Sequence, residues 1–422
     1  MIRYYNGLLL TFQNGIKITN DEVWTNGELI EYVGPQRKTQ MKFDREVNLH
    51  GNLLMPSFKD AHTHSAMTFL RSYADDLALD EWLNNRVFPM EAKLTPELVY
   101  YMTKIAIMEY LSSGITASFD MYFYNDAYVR ANLDSGFRTV ICSALNNFDD
   151  DPENVEKEYL KFNNLSSLVG YRLGIHAEYT TSIERMQYIK TLIDKYHDSY
   201  FTHCAETEKE VQECISRRGK SPVELFEDLG LFEYGGGIFH GVWLSENDIR
   251  ILKSHNIYVV TNPASNLKLA SGIAPICKLI EAGVPIAIGT DGAASNNALD
   301  MFREMYLTTA LQKYLNKDAS ACDADEVLKM ACIGGAKAMG LNDCVDIAVG
   351  QKADMIVLDM QCPNMQPIHN ISKNIVYSGS KSNVYMTIVN GIIRYEKGQY
   401  FIGEAPESVF RNAQQLLQKT FK

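Results

Sequence analysis

The sequence predicts an α/β fold: a (β/α)8 TIM barrel carrying a small β-sandwich domain built from both chain ends. Three observations point there. From residue 53 onward, eight strand-like runs alternate with helical stretches over roughly the 200 to 300 residues that such a barrel occupies. Short strands divided by turn formers flank this region on both sides. No Gly-x-Gly-x-x-Gly follows a strand, which disfavours the runner-up, a doubly wound open sheet. The divisions are 1–55 for the first half of the sandwich, 56–345 for the barrel, and 346–422 for the second half with a terminal helix.

In chain order, apolar pieces at 8–12, 29–33 and 46–49 are separated by Asn14-Gly15, Asn26-Gly27 and Gly34-Pro35, the punctuation of short strands. So few strands do not close a core alone. The barrel strands are expected at 53–58, 116–121, 139–145, 172–176, 200–203, 237–242, 257–261 and 285–289, with helices such as 96–113 and 274–282 between them. Residues 327–339 read as a helix and 350–359 as a strand. Residues 384–389 and 392–395 form a hairpin about Asn390-Gly391. A chain that begins and ends in β pairs its two ends most economically into one unit. The tail, 406–422, reads as an amphipathic helix.

The bulk numbers exclude some functions. With 46% hydrophobic and 22% charged residues, the 422-residue chain has the composition of a globular protein with a large core. A formal net charge of -12 argues against nucleic acid or an anionic membrane as partner. Eight scattered cysteines, without a Cys-x-x-Cys pair, fit reduced thiols better than a disulfide framework. Met1-Ile2-Arg3-Tyr4-Tyr5 lacks the pattern of a signal peptide, and no run is long enough to span a bilayer. The expectation is a soluble cytoplasmic protein.

Barrels of this kind build their sites at the C-terminal ends of the strands. Strand one ends in His62-Thr63-His64. Period-two alternation turns both imidazoles to one face. Strand four ends in His176, strand five in His203, strand six in His240 and strand eight in Asp291. Any one of these is ordinarily a core or surface histidine. Five of the nine histidines at one barrel mouth, with an aspartate, are not ordinary. Three imidazoles and a carboxylate suit a borderline-soft divalent ion such as zinc, with His62, His64, His203 and Asp291 as the ligands. Glu206, three residues past His203, reaches the same mouth as a proton shuttle, or else begins the polar helix that follows. His240 orients a water, or else is a satisfied core residue.

These residues sit in longer stretches that carry a resemblance: His62-Thr63-His64-Ser65-Ala66-Met67-Thr68, Leu70-Arg71-Ser72-Tyr73-Ala74-Asp75-Asp76-Leu77, Glu81-Trp82-Leu83, Met90-Glu91-Ala92-Lys93-Leu94 and Asp120-Met121-Tyr122-Phe123. It continues through His203-Cys204-Ala205-Glu206-Thr207, Asn262-Pro263-Ala264-Ser265-Asn266-Leu267-Lys268-Leu269 and Gly289-Thr290-Asp291-Gly292-Ala293-Ala294-Ser295-Asn296-Asn297. Over nearly its whole length the chain resembles the amidohydrolase superfamily, and within it the 5-methylthioadenosine/S-adenosylhomocysteine deaminases. The resemblance implies a metal-dependent barrel that hydrolyses the C6 amino group of adenosine-type nucleosides, releasing ammonia. It implies the ligand set His62, His64, His203 and Asp291. It implies Glu206 for proton transfer at the purine, His240 beside the water, His176 against the purine, Glu91 on the ribose hydroxyls and Trp82 among the substrate contacts. Binuclear relatives carry a carboxylated lysine near the end of strand four. His176 stands there, so one ion per subunit is expected, zinc with Fe2+ as the alternative. A small-molecule partner and a homo-oligomer are implied, and residues 77–93 are expected as a loop that closes over the mouth.

The chain departs from that family pattern in two places. The family sets one arginine late in strand three and another shortly after, to hold the carboxylate of S-adenosylhomocysteine. Here those places read Cys142-Ser143-Ala144 and Asp149-Asp150-Asp151-Pro152-Glu153, with Arg138 and Arg130 at other positions. Acids repel a carboxylate, whereas 5-methylthioadenosine or adenosine needs no such clamp. The second departure is Glu178, which either lines the pocket or faces solvent. The alternative function is a related barrel acting on a free base of the guanine or cytosine type, or on a triazine-like ring. Glu91, an acid for ribose, weighs against it. A silent scaffold would lose metal ligands, which this chain keeps. A cytidine-type zinc deaminase would need His-x-Glu with a later Pro-Cys-x-x-Cys, which is absent.

Overall fold

The computed structural model describes residues 1–13, 15–77, 79–148 and 151–421. Eight parallel strands follow one another in sequence order: Phe58–Thr63, Ile115–Asp120, Arg138–Cys142, Val169–Ala177, Tyr200–Cys204, Gly236–His240, Tyr258–Thr261 and Ile286–Ile288. Strand eight returns to strand one through the Asp291 amide, which donates to the His62 carbonyl at 2.9 Å. The Thr290 amide and hydroxyl reach the two Asp60 oxygens at 2.8 and 2.6 Å. Large and small side chains fill the interior in turn, with Phe119, Phe201 and Phe239 against Ala61, Ala117 and Ala287, as a packed barrel requires. Three of the outer helices start at side-chain caps: Thr95 for Pro96–Ser112, Ser182 for Ile183–Tyr196 and Thr207 for Glu208–Arg218.

The chain ends pair as expected. One sheet has four strands, Leu29–Gly34, Glu22–Asn26, Ile2–Tyr5 and Arg45–Asn48. The second has seven. Gln399–Tyr400, Ile392–Glu396, Val384–Val389 and Met355–Leu358 come from the end of the chain, and Leu53–Pro56, Leu8–Thr11 and Lys17–Thr19 from its beginning. Tyr4, Val23 and Val47 of the first sheet share a core with Leu9, Leu54, Val357 and Ile388 of the second. The C-terminal helix is Pro406–Thr420, with Val409 and Ala413 buried.

Several expectations are corrected. The run 53–58 is not the first barrel strand. Leu53–Pro56 pairs with Met355–Leu358 and Leu8-Leu9 in the end sheet, and barrel strand one begins at Phe58. A continuous apolar run reports burial on both faces, not which sheet supplies it. Ile2–Tyr5, Lys17–Thr19 and Glu22–Asn26 are additional strands, masked in the sequence by polar residues such as Glu22 and Lys17. The stretch 77–93 is mainly helical, through Leu79–Trp82, Leu83–Val87 and Phe88–Glu91. Asn14, Asp149 and Asp150, on which two expectations fall, lie outside the described residues. Among the described residues no helix is long and apolar enough to cross a membrane.

Candidate active site

Barrel closure brings the ends of strands one and eight together, and this sets His62 and His64 against Asp291. Asp291 Oδ1 lies 3.2 Å from His64 Nε2 and 3.6 Å from His62 Nε2. The His203 ring, from strand five, is 4.8 Å from that of His62 between centroids, and the His240 ring, from strand six, is 5.6 Å from that of His203. His240 and Asp291 adopt left-handed backbone, at φ 74° and 58°, as does Ala205 beside Glu206, at 54°. Such conformations cost a non-glycine residue of order 1–3 kcal/mol and concentrate at functional sites.

The neighbouring groups hold each side chain in one orientation. His64 Nδ1 faces the Met121 carbonyl at 2.5 Å and His203 Nδ1 the His176 carbonyl at 2.7 Å. A carbonyl only accepts, so both Nδ1 atoms carry a proton and both Nε2 atoms point into the cluster. His240 Nδ1 meets Asn266 Oδ1 at 2.8 Å. Asp291 Oδ2 accepts from Ser265 Oγ at 2.5 Å and Ser295 Oγ at 2.8 Å, leaving Oδ1 for the histidines.

His62 tests whether a metal fits. It is fully buried, stacked on Phe239 at 3.9 Å, and neither ring nitrogen has a hydrogen-bond partner among the described residues. An orphaned buried polar group costs about 1–3 kcal/mol, which a cation at Nε2 removes. His62, His64 and Asp291 offer donor atoms within 4.8 Å of one another, and His62, His203 and His240 form a second such group. The four expected ligands therefore do not share a single group; His62 links the two. Burial, then the charge of His64, holds the His62 imidazole well below its ordinary value. Burial and the charge of His62 do the same to His203. Both are neutral donors at neutral pH. Burial works against a charged His64, yet the hydrogen bond and charge of Asp291 lift it to about 9. The proton held between His64 and Asp291 is the one that a cation there displaces. The donor set fits a divalent cation.

Three of the remaining expected residues, Glu206, Glu91 and His176, stand around this cluster. Glu206 is buried, with Oε2 3.8 Å from His240 Nε2. Burial raises its pKa above the usual carboxylate value, although His240 opposes this. Glu91 accepts from the Tyr122 hydroxyl at 2.6 Å, and the Tyr122 ring stands 6.3 Å from that of His64. Burial pushes Glu91 up to about 7, with Tyr122 and His64 opposing. The His176 ring lies 4.9 Å from that of His203, and its Nδ1 meets Thr180 Oγ1 at 2.9 Å. Burial, then the charge of His64, lowers it to about 4. Trp82 is buried in the main apolar core, within the helical segment 79–91.

Neither arginine near the departures reaches the mouth. Arg138 lies at the start of strand three, spanned by Asp354 at 2.8 and 3.1 Å, and Arg130 sits over the Tyr100 ring at 4.4 Å. Glu178 takes neither expected role. It is buried, bound to Arg217 and 3.5 Å from Arg218, both at the end of the helix Glu208–Arg218. Sequence reasoning gave no role to Ser265, Asn266, Ser295, Tyr122 or Glu210. The first four lie inside the matching stretches quoted above, but the bonds of Ser265, Asn266 and Tyr122 reach segments far off in sequence, and only Ser295 bonds within its own loop. Glu210 accepts the Ala205 and Glu206 amides at 2.9 and 2.8 Å.

The profile of the Amidohydrolase family matches residues 53–393. The chain belongs to the amidohydrolase family. It is 38% identical over 394 residues to a 5-methylthioadenosine/S-adenosylhomocysteine deaminase of Thermococcus onnurineus, covering 92% of each chain. It is 34% identical over 416 residues to a 5'-deoxyadenosine deaminase of Methanobrevibacter smithii, covering 96% of this chain and 94% of the other. Its fold matches that of an adenosine deaminase from Xanthomonas campestris with bound zinc at a TM-score of 0.94 and 30% identity, over 99% of this chain and 98% of that one. Family, fold and donor cluster together support a divalent-metal site.

Proposed function

We propose that this chain is an aminohydrolase acting on the cyclic amidine of adenosine-type nucleosides, 5-methylthioadenosine and adenosine first and S-adenosylhomocysteine less readily. It converts the C6 amine to the inosine analogue and ammonia. The observation that carries the reading is a buried carboxyl group, Glu206, whose pKa burial raises and which lies 3.8 Å from His240 at a cluster of four imidazoles and a carboxylate. The relatives' names agree with it.

His62, His64, His203 and Asp291 would hold one divalent ion per subunit, zinc by its donor set. Bound there, the ion supplies the Lewis acidity that makes water a nucleophile near neutral pH. Asp291 takes the proton that the attacking water gives up, with Ser265 and Ser295 fixing its other oxygen. Glu206, protonated, donates to purine N1 as the bond from oxygen to C6 forms. The amine then gains the proton that Asp291 took, the C6–N bond breaks, and Glu206 helps ammonia leave by taking the remaining hydroxyl proton at C6, which restores both acids and leaves the carbonyl of the product. His240, pinned by Asn266, orients the water. His176 stands against the purine, Glu91 receives the ribose hydroxyls and Trp82 backs the substrate from the helical segment over the mouth. The barrel, 56–345, carries all these groups, and 1–55 with 346–422 serves as scaffold. In this reading the enzyme is cytoplasmic and homo-oligomeric, binding neither nucleic acid nor membrane, in keeping with its net charge of -12.

The test is the ultraviolet change of the adenine chromophore on adding zinc-loaded enzyme to 5-methylthioadenosine, adenosine and S-adenosylhomocysteine. Rapid change with the first two and slow change with the third is expected. No change with any of them, against turnover of guanine or a triazine, would overturn the proposal.

A further inference from the structure

Next to the histidine cluster lies a cavity of about 300 Å³, lined among others by Tyr122, Ser143, Leu145, Asp151, Glu158 and Tyr171. By the same measure a single water needs only roughly 10–15 Å³, so the space takes a substituent of several heavy atoms. Two of its walls belong to the site. Tyr122 donates to Glu91, and the Leu145 carbonyl accepts the His176 amide at 3.0 Å. The cavity therefore adjoins the barrel mouth on the side of strands two to four.

Its charge has one sign. Among the described residues the lining includes the carboxylates of Asp151 and Glu158 and no lysine or arginine. Glu158 is held by neutral donors, Asn125 Nδ2 at 2.8 Å and the Tyr171 hydroxyl at 3.1 Å. Asp151 also meets Lys157 at 3.2 Å, which offsets part of its charge. Lys161 stands outside the lining, on Asp126.

We propose that this cavity receives the group attached at C5′ of the nucleoside, and that it prefers an ammonium-bearing substituent to a carboxylate of equal length while admitting neutral thioethers. The inference rests on the nucleoside reading above. With the ribose on the Glu91 side, a C5′ substituent extends past it into the space beside Tyr122. A carboxylate entering there loses its hydration and meets like charge, whereas an ammonium meets two acceptors.

The test compares kcat/KM for 5′-(2-aminoethyl)thio-5′-deoxyadenosine and 5′-(2-carboxyethyl)thio-5′-deoxyadenosine, with methylthioadenosine alongside. At low ionic strength the ammonium compound is expected to lead by about tenfold or more, as charges a few ångströms apart near a protein surface dictate. The ratio falls at about 1 M salt, where the screening length is about 3 Å. Glu158→Gln and Asp151→Asn each lower it severalfold, with thermal melting as the check on folding. A ratio near one at low salt, or one that neither salt nor either substitution moves, overturns the subsite. Absence of turnover with methylthioadenosine, adenosine and S-adenosylhomocysteine alike overturns the nucleoside reading and this inference together. Turnover without a charge preference overturns the subsite alone.

Discussion

At the scale of single residues, the site works by setting protonation states through burial. In the proposed mechanism Glu206 must carry a proton to donate it, and burial raises its pKa. Donation therefore persists at low pH and is lost as pH rises through the folded-state pKa. Glu206→Gln is expected to lower kcat by about 10²–10⁴-fold, the usual range for a general acid. It also removes the alkaline limb of the profile that Glu206 sets, while zinc content by atomic emission stays at the wild-type level. Retained turnover in that variant would remove Glu206 from the mechanism. His62 gives a second expectation. Its orphaned nitrogens predict that chelation removes both activity and thermal stability, and that zinc restores both. A ligand at a hundred times its Kd stabilises the native state by about 2.7 kcal/mol, a shift that calorimetry resolves. A melting temperature indifferent to chelator would count against a metal at His62.

At the scale of elements, the site depends on how closely strands approach and how loops are tied down. A Cβ on Gly289 would lie 2.7 Å from the backbone nitrogen and oxygen of His62. Gly289→Ala thus forces strand eight away from strand one, and with it Asp291 from His62 and His64. The expected result is a loss of about 1–3 kcal/mol in urea unfolding and weaker zinc binding in titration. Wild-type zinc affinity in a folded variant would show that the two strand ends move independently. Glu210 acts on the next loop, where its carboxylate takes two consecutive amides at a left-handed Ala205. Glu210→Gln turns one acceptor into a donor and is expected to lower kcat about tenfold or more through displacement of Glu206, at the cost of a charge-assisted hydrogen bond. An effect confined to KM would assign Glu210 to substrate binding.

At the scale of the whole molecule, one buried network joins barrel and sandwich. Asp354, ahead of the strand Met355–Leu358, spans Arg138 of barrel strand three, lies 3.8 Å from Lys59 of strand one, and accepts the Asn390 amide at 2.7 Å. Burial raises its pKa, but Arg138 and Lys59 outweigh that and bring it to about 2. Its folded value thus lies below the unfolded value of about 3.9. The stabilisation is complete above the unfolded pKa and is lost as pH falls from about 4 towards 2. Asp354→Asn leaves Arg138 buried without its counter-charge and is expected to cost about 3–5 kcal/mol at neutral pH. The gap to wild type narrows below pH about 4 in parallel urea titrations. A gap that does not change with pH would mean that the carboxylate acts through packing alone.

The sequence by itself determined the number of barrel strands, the pairing of the chain ends and which histidines meet at one barrel mouth. Strand alternation and strand-end chemistry are local patterns, and His62, His203 and His240 each carry their signal within a few residues. It also carried the departures near Cys142 and Asp151, since a missing arginine is legible without coordinates. Tertiary structure alone decided three things. It assigned Leu53–Pro56 to the end sheet, because an apolar run looks the same whichever partner covers it. It gave Glu178 to Arg217 and Arg218, and Arg138 to Asp354, because ion pairs between distant residues follow from packing and not from spacing. It also brought Ser265, Ser295 and Asn266 behind Asp291 and His240. The Ser265 and Asn266 bonds close only when strands six, seven and eight stand side by side in a closed barrel, whereas Ser295 reaches Asp291 within one loop.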